Sequence, residues 1–134
     1  MNESVQLNVW AYDLSAAGEV SGKRLLVHFD DFGLDGMRSD TLGNLYITRF
    51  GKGTVVKVSP TGELLREIEL TGKQPTNIAF GGPDGRTAYV TVNDRHNIET
   101  FRVETPGRSW ALIQQRLPSA VEPATWGRVK IQAP

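Results

Sequence analysis

Short apolar-rich segments return along this chain at an interval of a little over forty residues. Leu45-Tyr46-Ile47-Thr48 is echoed by Ala88-Tyr89-Val90-Thr91, placing Tyr46 and Tyr89 43 positions apart, and Val58 and Phe101 share that spacing. Trp10-Ala11-Tyr12-Asp13, followed by Gly18-Glu19, resembles Val56-Lys57-Val58-Ser59, followed by Gly62-Glu63, with Tyr12 and Val58 46 apart. A period in the low-to-mid forties, with about four short strands per unit, is what a β-propeller blade produces. The physical reason is that one blade cannot bury both of its faces, so blades stack around an axis and cover each other.

The segments between turn signals read as strands: Asn8–Leu14, Arg24–Phe29, Leu45–Arg49, Thr54–Ser59, Leu64–Leu70, Asn77–Phe80, Thr87–Val92 and Ile98–Glu104. Ala17-Gly18-Glu19, Leu42-Gly43-Asn44, Pro60-Thr61-Gly62 and Pro83-Asp84-Gly85 supply the turns. Alternation in Thr54–Val58 and Leu65–Leu70 predicts one wetter face for each of those strands. The expected fold class is all-β, a partial β-propeller of about two and a half blades. The expected blades lie at about 5–29, 36–70 and 77–117, with only the two outer strands of the first supplied by Asn8–Phe29. Trp110–Gln115 is read as a candidate fourth strand of the last blade, although Ser109–Leu117 suits a short helix as well. A short strand is also read over Trp126–Gln132, but the tail 118–134, broken by prolines, is left unassigned.

An open arc of blades exposes two apolar faces and several strand edges. The expectation is therefore a piece of a larger ring, completed by a missing N-terminal half or by a second copy in a homo-oligomer. Composition narrows the partners. Fifteen Lys+Arg balance fifteen Asp+Glu, which argues against nucleic acid, whose binders carry a basic excess on one face. No stretch approaches the roughly 18 apolar residues of a membrane helix, and the expectation is no membrane partner. The chain has no cysteine, which removes thiolate nucleophiles and zinc–thiolate sites. With no secretory leader visible from Met1 to Leu14, the expected setting is cytoplasmic.

Several chemical motifs fail on spacing. Asp31-Phe32-Gly33-Leu34-Asp35-Gly36 has the flavour of a calcium loop, but its third position is Gly33 and its twelfth is Leu42, so an EF-hand is rejected. Gly51-Lys52-Gly53-Thr54 lacks the Gly-Lys-Ser/Thr of a phosphate-binding loop and reads as a hairpin. His28 and His96 lie in different units without a nucleophile elbow beside them. Asp35 differs, because it stands where a blade's innermost strand begins. Innermost strands line the channel of a propeller, so side chains at their start converge on one axial site. Thr76, in Pro75-Thr76-Asn77-Ile78, occupies the equivalent position one unit later. A carboxylate there is placed to serve as an oxygen ligand for a hard divalent cation or as a general base; its bland alternative is a turn before a strand.

Over Asn2–Trp110 the chain resembles the C-terminal half of the gluconolactonase/regucalcin family, also known as the senescence marker protein type. The resemblance is carried by Val9-Trp10-Ala11-Tyr12-Asp13-Leu14, Gly33-Leu34-Asp35-Gly36-Met37-Arg38-Ser39-Asp40 and Gly43-Asn44-Leu45-Tyr46-Ile47-Thr48-Arg49-Phe50-Gly51-Lys52-Gly53. Ser59-Pro60-Thr61-Gly62-Glu63 and Pro75-Thr76-Asn77-Ile78-Ala79-Phe80-Gly81-Gly82 continue it in the same order. The resemblance implies a six-bladed propeller, a sugar-acid lactone as small-molecule substrate, and a divalent metal, Ca²⁺ or Zn²⁺, as cofactor. It implies that Asp35 is both a metal ligand and the general base that activates water, with supporting channel-lining roles for Thr76 and Asn77. The family's other two metal ligands, a Glu and an Asn, have no counterpart in this chain. The implied function is thus a metal-dependent lactone hydrolase present as a C-terminal piece with little activity alone. Its alternative is a catalytically silent half-propeller acting as an assembly or binding module.

Overall fold

The computed structural model describes residues 1–117; the strand read over Trp126–Gln132 and the rest of the 118–134 tail lie outside the described residues. Among the described residues, ten strands form three antiparallel sheets. The first holds β1 (Asn2–Glu3), β2 (Asn8–Leu14) and β3 (Val20–His28); the second holds β4 (Gly33–Ser39), β5 (Leu45–Phe50), β6 (Thr54–Val58) and β7 (Leu64–Glu69). The third holds β8 (Pro75–Gly81), β9 (Thr87–Val92) and β10 (Asn97–Arg102). Each sheet is laid down strand beside strand in chain order, and β4 lies against both β1 and β8. The innermost strands of three blades therefore meet, as in an arc of a propeller that does not close.

Two apolar cores separate the sheets, and both draw on the middle one. Ile47, Val56 and Val58 turn toward the first sheet and pack with its Val9, with Phe29 after β3 and with Leu34 of their own sheet. Tyr46 and Val55 turn the other way, onto Ile78, Ala88, Val90 and Val92 of the third sheet. The β5–β6 register enforces this division, because Ile47 pairs with Val56 and Thr48 with Val55. Tyr46 meets Phe80 edge-on at a centroid distance of 5.1 Å, a favoured aromatic geometry. The Leu42-Gly43-Asn44 turn is anchored by the fully buried Asp40, whose Oδ1 accepts from the amides of Leu42 and Asn44.

Burial follows distance from the axis, and this corrects the expected alternation. In β6 the residues Thr54, Val55, Val56 and Val58 are all buried, so that strand has no wet face. In β7 the reverse holds: every residue except Ile68 is exposed. As the outermost strand it lies beyond the reach of the neighbouring sheets.

In the last unit the segment read as either strand or short helix is a helix, α1, over Arg108–Arg116. Two causes combine. Ala111, Leu112, Gln114, Gln115 and Arg116 are good helix formers. The chain before them is also drawn away from the free edge of β10: the amide of Thr41 donates to Pro106 O, and Asp40 bridges Gly107. α1 consequently lies against β4 and β8. The first sheet gains an inner strand, β1, that its two polar residues did not announce.

Candidate functional site

The site is built by two backbone irregularities at equivalent places in the repeat. Pairing of β4 with β5 slips between Leu34 and Met37, and pairing of β8 with β9 slips between Pro75 and Asn77. Such bulges re-aim a side chain that regular alternation would send elsewhere. Leu34 goes into the core at 1% exposure, while Asp35 next to it is exposed. Thr76 occupies the slipped position of β8. The backbone carbonyls disturbed by the slips are caught by matching threonines: Thr48 Oγ1 donates to Gly36 O at 3.1 Å and Thr91 Oγ1 to Asn77 O at 3.5 Å. Thr48 and Thr91 are the last residues of the repeated Tyr-Ile/Val-Thr segment.

The two inner strands touch at this level. A Cβ on Gly36 would stand 2.6 Å from the Cα of Asn77 and 2.8 Å from Thr76 O, closer than carbon atoms pack, so a residue without a side chain is required. From the other side, Asn2 Nδ2 donates to Asp35 O at 2.5 Å and Ser4 Oγ donates to Leu34 O. Asp35 is thus held by its backbone between β1 and β8, next to Thr76 and Asn77. Its carboxylate makes no hydrogen bond or ion pair among the described residues. Loss of hydration pushes its carboxyl above the usual carboxylate range. Such a group is free to accept a proton.

The donor set does not fit a resident metal by itself. Among the described residues no three His, Cys, Asp or Glu side chains converge. Asn77 Oδ1 already accepts from the amide of Ile78 at 2.9 Å, and Asn2 turns its NH₂ group toward Asp35 O. Calcium takes six to eight oxygen ligands and zinc at least three protein ligands. The described residues at Asp35 supply one uncommitted carboxylate, which is short of either requirement.

On the open face of the third sheet lies a shallow recess of about 320 Å³ that includes Thr76, Thr91, Asn93, His96 and Asn97 in its lining. Neither the strand pattern nor the motif search drew attention to it. His96 reads as isolated in sequence, yet the turn after β9 brings it beside Thr76 with φ 50° and ψ 40°. The available signal was the run Asn93-Asp94-Arg95-His96-Asn97, rich in residues that leave strands and adopt tight turns.

Residues 1–94 match the family described as SMP-30/gluconolactonase/LRE-like region. The chain belongs to this family. A 6-deoxy-6-sulfogluconolactonase from Pseudomonas putida is 36% identical over 86 residues, covering 62% of this chain and 30% of that protein. A pentonolactonase from Haloferax volcanii is 36% identical over 85 residues, covering 62% and 29%. Regucalcin from Danio rerio is 35% identical over 83 residues, covering 60% and 28%. The chain therefore spans about 30% of the length of these curated relatives of the SMP-30/gluconolactonase type. Among solved structures, a luciferin-regenerating enzyme superposes with a TM-score of 0.69 at 26% identity, over 78% of this chain and 41% of that one. The calcium-binding protein regucalcin from Agrobacterium tumefaciens gives 0.69 at 24% identity, with the same coverage, and supports the partial-propeller fold. Among the described residues of this family member, no helix is long and apolar enough to cross a membrane.

Proposed function

We propose that this chain supplies the general-base side of a lactone-hydrolysing centre, acting on a sugar-acid lactone to give the aldonic acid. The observation that carries this reading is Asp35: it sits in a bulge of β4, its backbone is held from both sides, and its carboxylate is uncommitted among the described residues. The names of the relatives support the substrate class. In the proposed reaction Asp35 takes a proton from water as the oxygen attacks the lactone carbonyl carbon. The ring C–O bond then breaks and the departing ring oxygen is protonated, leaving a hydroxy acid. A positioned base of this kind contributes roughly 10²- to 10⁴-fold. Supporting channel-lining roles are proposed for Thr76 and Asn77, whose backbone abuts Gly36 beside Asp35. Asp35 is also proposed as one ligand of a calcium or zinc ion, with the remaining ligands supplied by an N-terminal half or a second copy that completes the ring. A cytoplasmic setting accords with a chain free of cysteine.

The single carboxylate of the hub favours one further reading, a catalytically silent module whose sheets serve assembly or binding. The two separate in a hydrolysis assay on gluconolactone, followed by acid release. The chain is compared alone and joined to the N-terminal portion of the Pseudomonas putida relative, each with Asp35 and with Asp35→Ala. Little hydrolysis is expected from the chain alone. In the joined protein Asp35→Ala is expected to lower the rate about 10²- to 10⁴-fold. Equal rates with and without the carboxylate would leave the silent module as the reading that stands.

A further inference from the structure

We infer that Asn2 and Ser4 are positioning residues for Asp35: two side chains of the first sheet and its turn that set the direction of a carboxylate on the second. The use of Asp35 as a base rests on the proposed function; the clamp comes from the hydrogen bonds themselves. The slip in β4 leaves Asp35 and Gly36 facing Thr48 alone, between the pairs Leu34–Arg49 and Met37–Ile47. A bulge disrupts the ladder locally, and here three successive carbonyls are taken up by side chains. Ser4 Oγ donates to Leu34 O, Asn2 Nδ2 to Asp35 O at 2.5 Å, and Thr48 Oγ1 to Gly36 O at 3.1 Å.

The third sheet shows what such a slip requires for its own sake. Its bulge is held by one side chain, Thr91, whose Oγ1 donates to Asn77 O as that of Thr48 does to Gly36 O. The carbonyls of Pro75 and Thr76, which correspond to those of Leu34 and Asp35, take no side-chain donor among the described residues. One threonine suffices where the slipped residue is Thr76. The two added donors stand where it is a carboxylate.

Their placement is what a direction-setting role needs. Leu34 O and Asp35 O belong to the two peptide planes that flank the Cα of Asp35. Because each plane is rigid, a bond to each constrains both soft dihedrals of Asp35 and with them its Cα–Cβ direction. The carboxylate makes no hydrogen bond or ion pair among the described residues, so its rotamer follows from that backbone. The donors are themselves anchored: Asn2 pairs with Val9 of β2, and the turn after Ser4 is tied by the amide of Phe29 donating to Leu7 O at 2.9 Å.

The test has two arms. In the full 134-residue chain, three-bond NMR couplings from the backbone to Cγ of Asp35 read its χ1 rotamer. A single rotamer is expected in the parent and in Thr91→Val, which removes the matching bond of the third sheet. Averaged couplings are expected in Asn2→Ala and Ser4→Ala, and a single rotamer again in Ser4→Thr, which keeps the hydroxyl. Ser4 is exposed and Asn2 half-buried, so both substitutions leave the cores intact and the amide spectrum away from β4 unchanged. In the joined protein each alanine variant is expected to lower kcat about ten-fold at nearly constant KM, within the roughly 10²-fold that a misplacement of about 1 Å can cost. Ser4→Thr is expected to recover most of that loss. One rotamer retained in both alanine variants, an unchanged kcat in an active joined protein, or a loss that Ser4→Thr shares in full would overturn the inference. A joined protein that hydrolyses nothing would refute the hydrolase, and the couplings would still decide the clamp.

Discussion

The middle and third sheets are two copies of one pattern, and they differ in what covers them and in what they carry at the hub. The middle sheet is packed on both faces, with Ile47 and Val56 on one side and Tyr46 and Val55 on the other. The third sheet is packed on one face; on the other, Tyr89 and Ile98 are 40% and 60% exposed. Both sheets begin with the same slipped register and the same threonine-to-carbonyl bond. At the slip one copy places the carboxylate of Asp35 and the other the hydroxyl of Thr76. The framework is thus repeated by the backbone, and chemistry is assigned by single side chains at a repeated position. Stability belongs to the copy that is sandwiched.

The largest expected effect breaks the symmetry of the cores. Ile47→Ala removes a fully buried side chain between the first and middle sheets and is expected to cost about 2–5 kcal/mol in urea unfolding. Tyr89→Ala, on the open face of the third sheet, is expected to cost less than about 1 kcal/mol. Comparable losses at the two positions would mean that something covers the third sheet in solution.

A smaller effect comes from the contact between the copies. Gly36→Ala drives a methyl group into the backbone of Thr76 and Asn77. The expected cost is about 1–3 kcal/mol, the usual range for overpacking. Because the strain falls between Asp35 and Thr76, the joined protein described above is expected to lose activity as well. Asn77→Ala, at the equivalent position of the third sheet, is expected to cost less than about 1 kcal/mol, since it removes a single bond to the amide of Ile78.

The strands were legible in the sequence because their turns and β-branched runs act locally. Asn8–Leu14 and Thr87–Val92 were read with the bounds the structure shows. The repeat that aligns Asp35 with Thr76 in sequence is matched by register slips at both places. What escaped depends on neighbours in space. No alternation in Thr54–Val58 could announce that a second sheet covers its other face, since Lys57 breaks the apolar run yet lays its ammonium over the Tyr46 ring at 5.5 Å from the centroid. The helix at Arg108–Arg116 was undecided because its direction is set by Pro106 and Gly107 meeting Thr41 and Asp40, partners over sixty residues away. His96 escaped because a recess is a property of a turn's shape, which a lone imidazole in a polar run does not reveal.

The connection between the two sheets offers a sharper comparison by pH. Four successive amides, those of Thr71, Gly72, Lys73 and Gln74, donate to two carboxylates, Glu99 of β10 and Asp94 of the turn between β9 and β10. The amides of Lys73 and Gln74 hold the Asp94 carboxyl below its ordinary value of 3.8. The stability this contributes is complete above 3.8 and is lost as pH falls through the depressed value. Asp94→Asn is therefore expected to be less stable than the parent by a constant amount near neutrality, with the gap closing only below 3.8. A gap that persists undiminished in strong acid would show that the asparagine disturbs the loop for a reason other than charge.

The smallest effect concerns the ion pair that ties the middle sheet to the chain after β10. Lys57 Nζ lies 3.0 Å from Glu104 and Arg66 3.1 Å from the same carboxylate. Burial works against the ammonium of Lys57, but its bond to Glu104 and the nearby Tyr46 oxygen prevail and raise its pKa; the Lys57 bond in turn holds Glu104 below its ordinary value. Glu104 is 60% exposed, so water and salt screen the pair. Glu104→Gln is expected to cost only about 0.2–1 kcal/mol, falling further in about 1 M salt, where the Debye length shrinks to about 3 Å. A double-mutant cycle with Lys57→Met, run at low and high salt, separates this charge term from the packing of the lysine stem on Tyr46. A coupling well above 1 kcal/mol that ignores salt would mean that the pair is shielded from solvent, and hence that a further sheet or chain closes over this edge of the arc.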